Sequence, residues 1–574
     1  MRNFRFVLTS LALAGGLTAC TDELTVVNEN QADAARALAR PADVEGLIAN
    51  SFNTQHATTI GASSLNPQMF VFGMENYSNL ANFGSATRAA IPRPPINNSI
   101  NNPTAGENAG PYAGLHRAAR AAAMGLNRVK TPGFIFFPPN AAQNARARAF
   151  ANFVMGISLG QLAMAYDSSI MIHEADPPNV LAAPLPLVDY VAQMQYALDR
   201  LDTAIVDAGL MTGQTIPATW MATSAAVTQA QFIALIRGWK ARLRSAVART
   251  PADVAGINWT AVRDDALAFL AQWGGAVPGA AADVGFVQNL NTTLGWGFGW
   301  LPTVYQSNSQ NWHQAWGYMV YMAAGQADYD AWLGTAPALR AAFPIVTPDR
   351  RWPNGGAFCP GANCRLAQQC ASGSVTGASC TPVGSPTSGP FQYWENRTSD
   401  WFGDPSANTQ YRGQRFRALA LASNTVGAYP SMNAAEMRLT AAEAYYQLAD
   451  YANAATYVNH TRVARGVLPA APPDATTLVG GGAACVPRIP VGPSYTSSAC
   501  GNLLEALKWE KRMETAYSRW GGWYFDGRRW GDLPEGTAIH WPVPYQELLT
   551  RQYTSFHQTG GSGSTALPRG NYGL

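Results

Sequence analysis

The sequence predicts a mainly α fold: a scaffold of helix pairs carrying one long loop-rich, aromatic-rich insertion. Three observations lead there. Apolar residues recur at spacings of three and four through stretches early and late in the chain. Residues 274–430 lose that period and fill with Gly, Pro, Ser, Asn and aromatic residues. The 574-residue chain is 47% hydrophobic and only 13% charged, which suits a folded protein rather than a disordered one. Charge narrows the function. Without Arg2 and Arg5 of the N-terminal segment, 37 basic residues stand against 36 acidic ones. No excess of basic charge is left for nucleic acid, and no later run of about 20 apolar residues suits a polytopic membrane protein.

The elements follow in order. Residues 1–19 read as a signal peptide: Arg2 and Arg5 make a basic start, Phe6 to Leu17 a short apolar run, and Leu17-Thr18-Ala19-Cys20 looks like a bacterial lipobox. Cys20 would carry acyl chains, each buried CH₂ contributing about 0.8 kcal/mol of membrane affinity. An N-terminal helical region spans 20–273. Within it 41–55, 112–130 and 259–273 are shorter helix candidates, and 58–110 is loop-rich. Phe150, Phe153, Val154 and Ile157 mark a helix over 141–166. Val191, Met194, Leu198, Leu201 and Ile205 mark one over 187–209, and Phe232, Leu235, Ile236, Trp239 and Leu243 one over 229–249. The insertion spans 274–430, and a C-terminal helical region of the same scaffold spans 431–574. There 433–448 and 451–465 form a hairpin joined at Ala449-Asp450, and 502–520 a further helix. Such a hairpin resembles a tetratricopeptide-type unit, which buries its face only by stacking on neighbours.

Six cysteines remain beyond Cys20. Cys359, Cys364, Cys370 and Cys380 cluster in the insertion, and Cys485 and Cys500 bracket a Gly/Pro-rich stretch. An even number in an exported chain favours disulfides, three in all. Cys485 with Cys500 is the pairing expected first, while the other four allow three pairings. A zinc site is the rival, but the cluster lacks Cys-x-x-Cys and histidine, so no metal and no cofactor is expected.

The C-terminal third resembles one family. Arg438-Leu439-Thr440-Ala441-Ala442-Glu443-Ala444-Tyr445, then Asn459-His460-Thr461-Arg462 with Arg465-Gly466-Val467, then Glu510-Lys511-Arg512-Met513-Glu514 are similar to successive helix motifs of the SusD/RagB family. Tyr524-Phe525-Asp526-Gly527-Arg528-Arg529-Trp530-Gly531 resembles its "F-D-L-R-R-W-G" block, with Gly527 in place of Leu, and Pro542-Val543-Pro544 with Glu547-Leu548 its "P-I-P-x-x-E-L" ending. Tyr112 to Val129 and Ala145 to Tyr166 resemble earlier family helices. The family's Tyr-Gly-Asp-x-Pro is absent after Tyr166, and 274–430 matches nothing in it. The resemblance implies a lipid-anchored outer-membrane protein facing the cell exterior. It would bind nutrient, mostly oligosaccharide, as the lid of a TonB-dependent (SusC-like) transporter, without catalysis.

The residues agree with binding rather than bond-making. No His-Glu-x-x-His, Gly-x-Ser-x-Gly or Gly-x-x-x-x-Gly-Lys-[Ser/Thr] occurs. The Glu510–Arg512 and Arg528–Trp530 groups read as braces, because guanidinium forks pair with carboxylates and stack on indoles. Asn459 and Arg462 read as braces of a helix C-terminus, and His173-Glu174 with Asp176 as a surface loop. The ligand expectation rests on tryptophan. Of 17, eight fall within 296–401, where a proportional share is about three or four. A flat indole covers the C–H face of a sugar while amides bond its hydroxyls. The candidates are Trp296, Trp300, Trp312, Trp316, Trp394 and Trp401, with Tyr77, Asn79 and Arg88 in the early loop. Two alternatives stand beside this reading. One is an extracellular glycoside hydrolase using a pair among Asp349, Glu395, Asp400 and Asp404. The other is a surface structural or assembly protein on the same fold.

Overall fold

A computed structural model describes residues 38–60, 64–78, 84–134, 141–176, 184–275, 285–297, 299, 314–336, 340, 346–352, 393–396, 409, 411–413, 415–416, 419, 426–562 and 566–574. Cys20, Asn79, Trp300, Trp312, Trp401, Cys359, Cys364, Cys370 and Cys380 lie outside these residues. Helices dominate, as expected, and no described helix is long and apolar enough to cross a membrane.

Helix α1 (Pro41–Ile60) opens the scaffold. It runs beyond the expected 55 because His56, Thr59 and Ile60 are still buried. Two short helices, α2 (Asn66–Phe72) and α3 (Ser85–Ala89), interrupt the stretch expected as loop. In α2, Pro67 sits in the first turn, where a missing N–H costs nothing. Next come α4 (Gly106–Lys130) and α5 (Ala141–Ala165). From Ala149 to Ala165 every residue of α5 is buried, so this helix is the axis of the core rather than a surface helix. Strands β1 (Ser168–Ile170) and β2 (Leu187–Asp189) pair antiparallel. Asp189 then caps α6 (Tyr190–Gly209) by accepting from Val191 N and Ala192 N. Two glycines of α5 let its neighbours close in. A Cβ on Gly156 would stand 2.6 Å from Leu201 of α6. A one-turn helix α7 (Ala218–Met221) precedes α8 (Gln229–Ala246), which starts in a Thr228–Gln231 capping box. On Gly160 of α5, a Cβ would stand 2.6 Å from Leu243 of α8. Helix α9 (Trp259–Trp273) completes this half.

The described part of the insertion is short elements: β3 (Gly285–Leu290), α10 (Gly317–Tyr321), α11 (Gln326–Gly334), β4 (Trp394–Asn396) and β5 (Tyr411–Gly413). Strand β6 (Gly427–Asn433) pairs antiparallel with β3 and leads directly into α12 (Ala434–Gln447). The hairpin closes with α13 (Tyr451–Arg462). A two-stranded β7 (Arg488–Val491) and β8 (Ser497–Cys500) follows, stapled by the expected Cys485–Cys500 disulfide. Then come α14 (Leu503–Thr515), α15 (Gly522–Trp530) and α16 (Tyr545–Thr550). Helix α14 ends five residues before the expected 520. Ala516 leaves helical geometry, and Tyr517, at φ 57°, turns its N–H onto buried Glu75 at 2.6 Å.

Charges, not apolar residues, fill much of the space around α14. Lys508, Glu510, Lys511, Arg512 and Glu514 are all buried. Arg351 lies between Asp349 (2.9 Å), Glu510 (2.7 Å) and Glu514 (3.1 Å), and Glu514 also meets Arg465. Lys511 and Arg529 share Glu443, which accepts from the Trp530 indole at 2.8 Å. Arg519 and Arg529 hold Asp526. Burial disfavours the ionised Asp526, but Arg519, Arg529 and Lys511 outweigh it and hold its pKa well below the usual carboxylate range. Lys508 and Arg512 share Asp532. The Arg-Arg-Trp block therefore braces the fold as expected, from within helix α15. Arg528 donates to the Ala246 and Ala248 carbonyls at the end of α8 (2.8 and 3.0 Å), and Arg249 to those of Ala163 and Met164 at the end of α5. Cations there satisfy orphan carbonyls and the helix dipole. Asn459 and Arg462 do not cap their own helix. They tie down the chain beyond it, at Ala471, Pro469 and Val486.

The C-terminal stretch returns across the first helices. Arg93 donates to Thr537, Asn98 to the Val543 carbonyl, and the Trp541 indole to Gln68 of α2. The Trp541 backbone N–H caps the end of α5 at Ala165.

Candidate functional site

A cleft of about 540 Å³ opens where the insertion leaves the scaffold. Its floor is Trp296 with Leu290, its rim Leu294 and Val426, and its polar wall Thr219, Thr223, Asn289 and Asn291. Local sequence explains the shape. Strand β3 ends at Leu290. Asn291 then accepts from Thr293 N, and Gly295, at φ 79°, ends a one-turn 3₁₀ segment that few residues other than glycine could close. Paired backbone bonds between Asn291 and Trp296 (2.8 and 2.9 Å) complete the loop. Asn53 of α1 anchors it through the Gly295 carbonyl at 2.9 Å. Leu294 stands 70% exposed at the tip. On the facing wall, Ala222 ends α7 in the left-handed region (φ 54°), and its carbonyl receives Asn289 N.

Trp296 is not the free-standing platform the sequence suggested. It is 8% exposed. Its indole packs on Phe52 at 6.0 Å and edge-to-face on His56 at 5.1 Å. Burial lowers the His56 pKa to about 4, so the ring under the floor is neutral at neutral pH. No Asp, Glu, Lys, Arg or His is among the described residues lining the cleft. It can therefore offer an apolar face, amides and hydroxyls to a neutral ligand. Among the described lining residues there is no countercharge and no acid–base pair.

Other expected ligand residues lie elsewhere. Trp316 is 0% exposed. It meets Tyr77 edge-to-face at 5.1 Å and donates its indole N–H to the Asn76 carbonyl. Trp394, 1% exposed, stacks on Trp352 at 4.2 Å. Tyr77 is buried and bridged to Gln314, and Arg88 pairs with Glu107 at 3.0 Å. Trp316, Trp394 and Tyr77 are thus core residues, because aromatics under long loops make a second apolar core as readily as a binding face. Asp349, a candidate acid, is bonded by Arg351, and the Asp176 carboxylate accepts from His173 N. Among the described residues no group of His, Cys, Asp and Glu could hold a metal. Sequence reading missed the cleft's own polar wall. The signal it passed over is Asn291-Thr292-Thr293-Leu294-Gly295, a cap and a left-handed stop that announce a fixed turn beside Trp296.

No protein-family model matches the sequence, and no curated protein is similar to it. Solved structures are. A SusD-like protein from Bacteroides fragilis NCTC 9343 is 13% identical with a TM-score of 0.52, the match covering 87% of this chain and 88% of that one. A SusD superfamily protein from Bacteroides thetaiotaomicron VPI-5482 is 12% identical with a TM-score of 0.51, covering 89% of this chain and 96% of that one. At such identities the likeness is one of fold. The chain has the SusD-like fold that its C-terminal motifs imply.

Proposed function

We propose that this chain is a non-catalytic, cell-surface nutrient-binding lipoprotein that grips a neutral oligosaccharide in the Trp296 cleft. The observation that carries the reading is the cleft's chemistry: an indole floor with an uncharged wall of Asn and Thr. A pyranose has an apolar C–H face for the indole and hydroxyls for the amides, whereas a peptide terminus or an acidic sugar would lose its hydration without a countercharge. Trp300, Trp312 and Trp401 are proposed to extend the surface. The disulfide candidates Cys359, Cys364, Cys370 and Cys380 are proposed to staple the insertion that carries it.

The SusD-like fold and the lipobox support the rest of the reading. Cys20 carries the lipid anchor in the outer membrane. The chain sits on a TonB-dependent transporter barrel as its lid, and ligand capture closes a hinge between the two. The hydrolase alternative lacks support at the cleft, where no carboxylate pair is among the described lining residues.

The test is a titration of the purified protein with a panel of neutral and acidic polysaccharides, read by tryptophan emission and by product analysis. A saturable shift with a neutral glycan and no released product is expected. Response to acidic glycans alone would overturn the cleft argument, and released product would overturn the non-catalytic one.

A further inference from the structure

The β7–β8 hairpin holds a chemical arrangement that uptake does not use. Cys485 is almost wholly buried, whereas Cys500 at the end of β8 is only half-buried. Arg488, the register partner of Cys500, is buried between them. Its Nε donates to Ser498 Oγ at 3.0 Å and one Nη to the Ser498 carbonyl at 2.8 Å. Those two bonds tie Arg488 across the hairpin to Ser498. The other Nη points instead at sulfur, 3.2 Å from Cys485 Sγ and 3.7 Å from Cys500 Sγ. A neutral disulfide is a weak acceptor and a poor reason to bury a guanidinium, while a thiolate is a good one. The charged and titratable groups facing Arg488 are Asp330, whose carboxylate accepts from Ser498 Oγ at 2.5 Å, and Tyr329.

We infer that the Cys485–Cys500 disulfide is an exchange-competent modification site for small thiols, attacked at Cys500 and releasing Cys485 as a thiolate held by Arg488. The incoming thiol loses its proton to solvent and its sulfur bonds to Cys500 Sγ. The Cys500–Cys485 bond breaks, and its electron pair goes to Cys485 Sγ beside the guanidinium. One disulfide replaces another, and a second thiol completes the reduction by attacking the mixed disulfide. Direction follows from the two environments: the accessible sulfur is attacked, and the sulfur whose anion is stabilised leaves. Exchange also reaches the insertion. The hairpin holds α11 and its approach through Ser498–Asp330 and through Arg488 N–H to the Met322 carbonyl at 2.8 Å.

The test exposes the purified oxidised protein to reduced glutathione, quenches it by alkylation and maps the peptides bearing Cys485 and Cys500. Glutathione on Cys500 and the alkyl group on Cys485 are expected. Arg488→Met should slow exchange about tenfold, Arg488→Lys should retain most of the rate, and Ser498→Ala, which removes a brace but no charge, should stay within about twofold. Melting of each oxidised variant separates misfolding from chemistry. Glutathione on Cys485 in the unsubstituted protein, which needs no variant, would overturn the inference. So would an unchanged rate in a folded Arg488→Met protein.

Discussion

Replacing Arg351 by methionine tests the ionic packing around α14 at its centre. The guanidinium is wholly buried and bonds three carboxylates: Asp349 at 2.9 Å, Glu510 at 2.7 Å and Glu514 at 3.1 Å. Methionine fills much of the arginine stem's volume, so the cavity term is small and the lost countercharge dominates. Stripping one partner from a buried pair costs about 3–5 kcal/mol. The loss is not threefold larger, because each acid keeps another partner. Asp349 keeps the Trp509 indole (2.9 Å), Glu510 keeps Thr461 (2.8 Å), and Glu514 keeps Arg465. An unfolding entropy of about 2.1 cal/mol/K per residue gives about 1.2 kcal/mol/K for a chain of this length, so the expected fall in melting temperature is about 3–4 °C. Calorimetry reads it, and a denaturant titration supplies the free energy. Adding Asp349→Asn to Arg351→Met should recover about 1–2 kcal/mol, because one of the stranded charges is then gone. A fall below about 1 °C, or a double variant that loses the sum of both single changes, would refute the claim that these charges are mutually dependent.

Three further outcomes follow. Trp296→Phe keeps a ring in contact with Phe52 and His56 but shrinks the cleft floor. Glycan affinity should fall about tenfold, or about 1.4 kcal/mol, with the melting temperature nearly kept, and unchanged affinity would move the ligand elsewhere. Burial raises the Glu75 pKa well above its ordinary value, only partly opposed by the Tyr517 N–H, so the folded state holds a proton that the unfolded state releases. Stability from this group is therefore full below about pH 4.5 and declines as pH rises toward the folded value, by up to about 1.4 kcal/mol per pH unit. Glu75→Gln should flatten that decline, and parallel pH–stability curves for the two proteins would show that Glu75 does not titrate as described. Cys20→Ala should move the protein from the membrane fraction to the soluble one, and continued membrane association would remove the lipobox reading.

The sequence announced its long helices and concealed its short ones. Helices α5, α6 and α8 repeat apolar residues over several turns, so period alone locates them. Helix α2 is seven residues, too short for a period, and reads as loop although all of it is buried. The end of α14 is set by Glu75, more than 400 positions away in sequence, and local propensity could not foretell it. The tryptophans show the same boundary in the site. Trp296 and Trp316 sit in similar aromatic, Gly-containing surroundings in sequence, yet one floors a cleft and the other is sealed under Tyr77. Composition can place indoles in a region, but only the path of the backbone decides which ring keeps an edge toward solvent. The Arg-Arg-Trp block was legible as bracing because its chemistry admits few other buried roles, although its own helix was not.

The return of the C-terminal stretch across α1 to α5 governs the order in which the protein can be completed. The N–H that bonds Glu75 belongs to Tyr517, and the indole that bonds Gln68 belongs to Trp541. A chain that emerges from the export channel N-terminus first presents α2 well before either of those partners. Until they arrive, Glu75 lacks the Tyr517 N–H, and Gln68 has the Glu107 carboxylate at 3.4 Å but not the Trp541 indole. The emerging chain is thus an open structure awaiting about its last tenth, and a premature stop anywhere before Tyr517 leaves its beginning unfinished as well as its end.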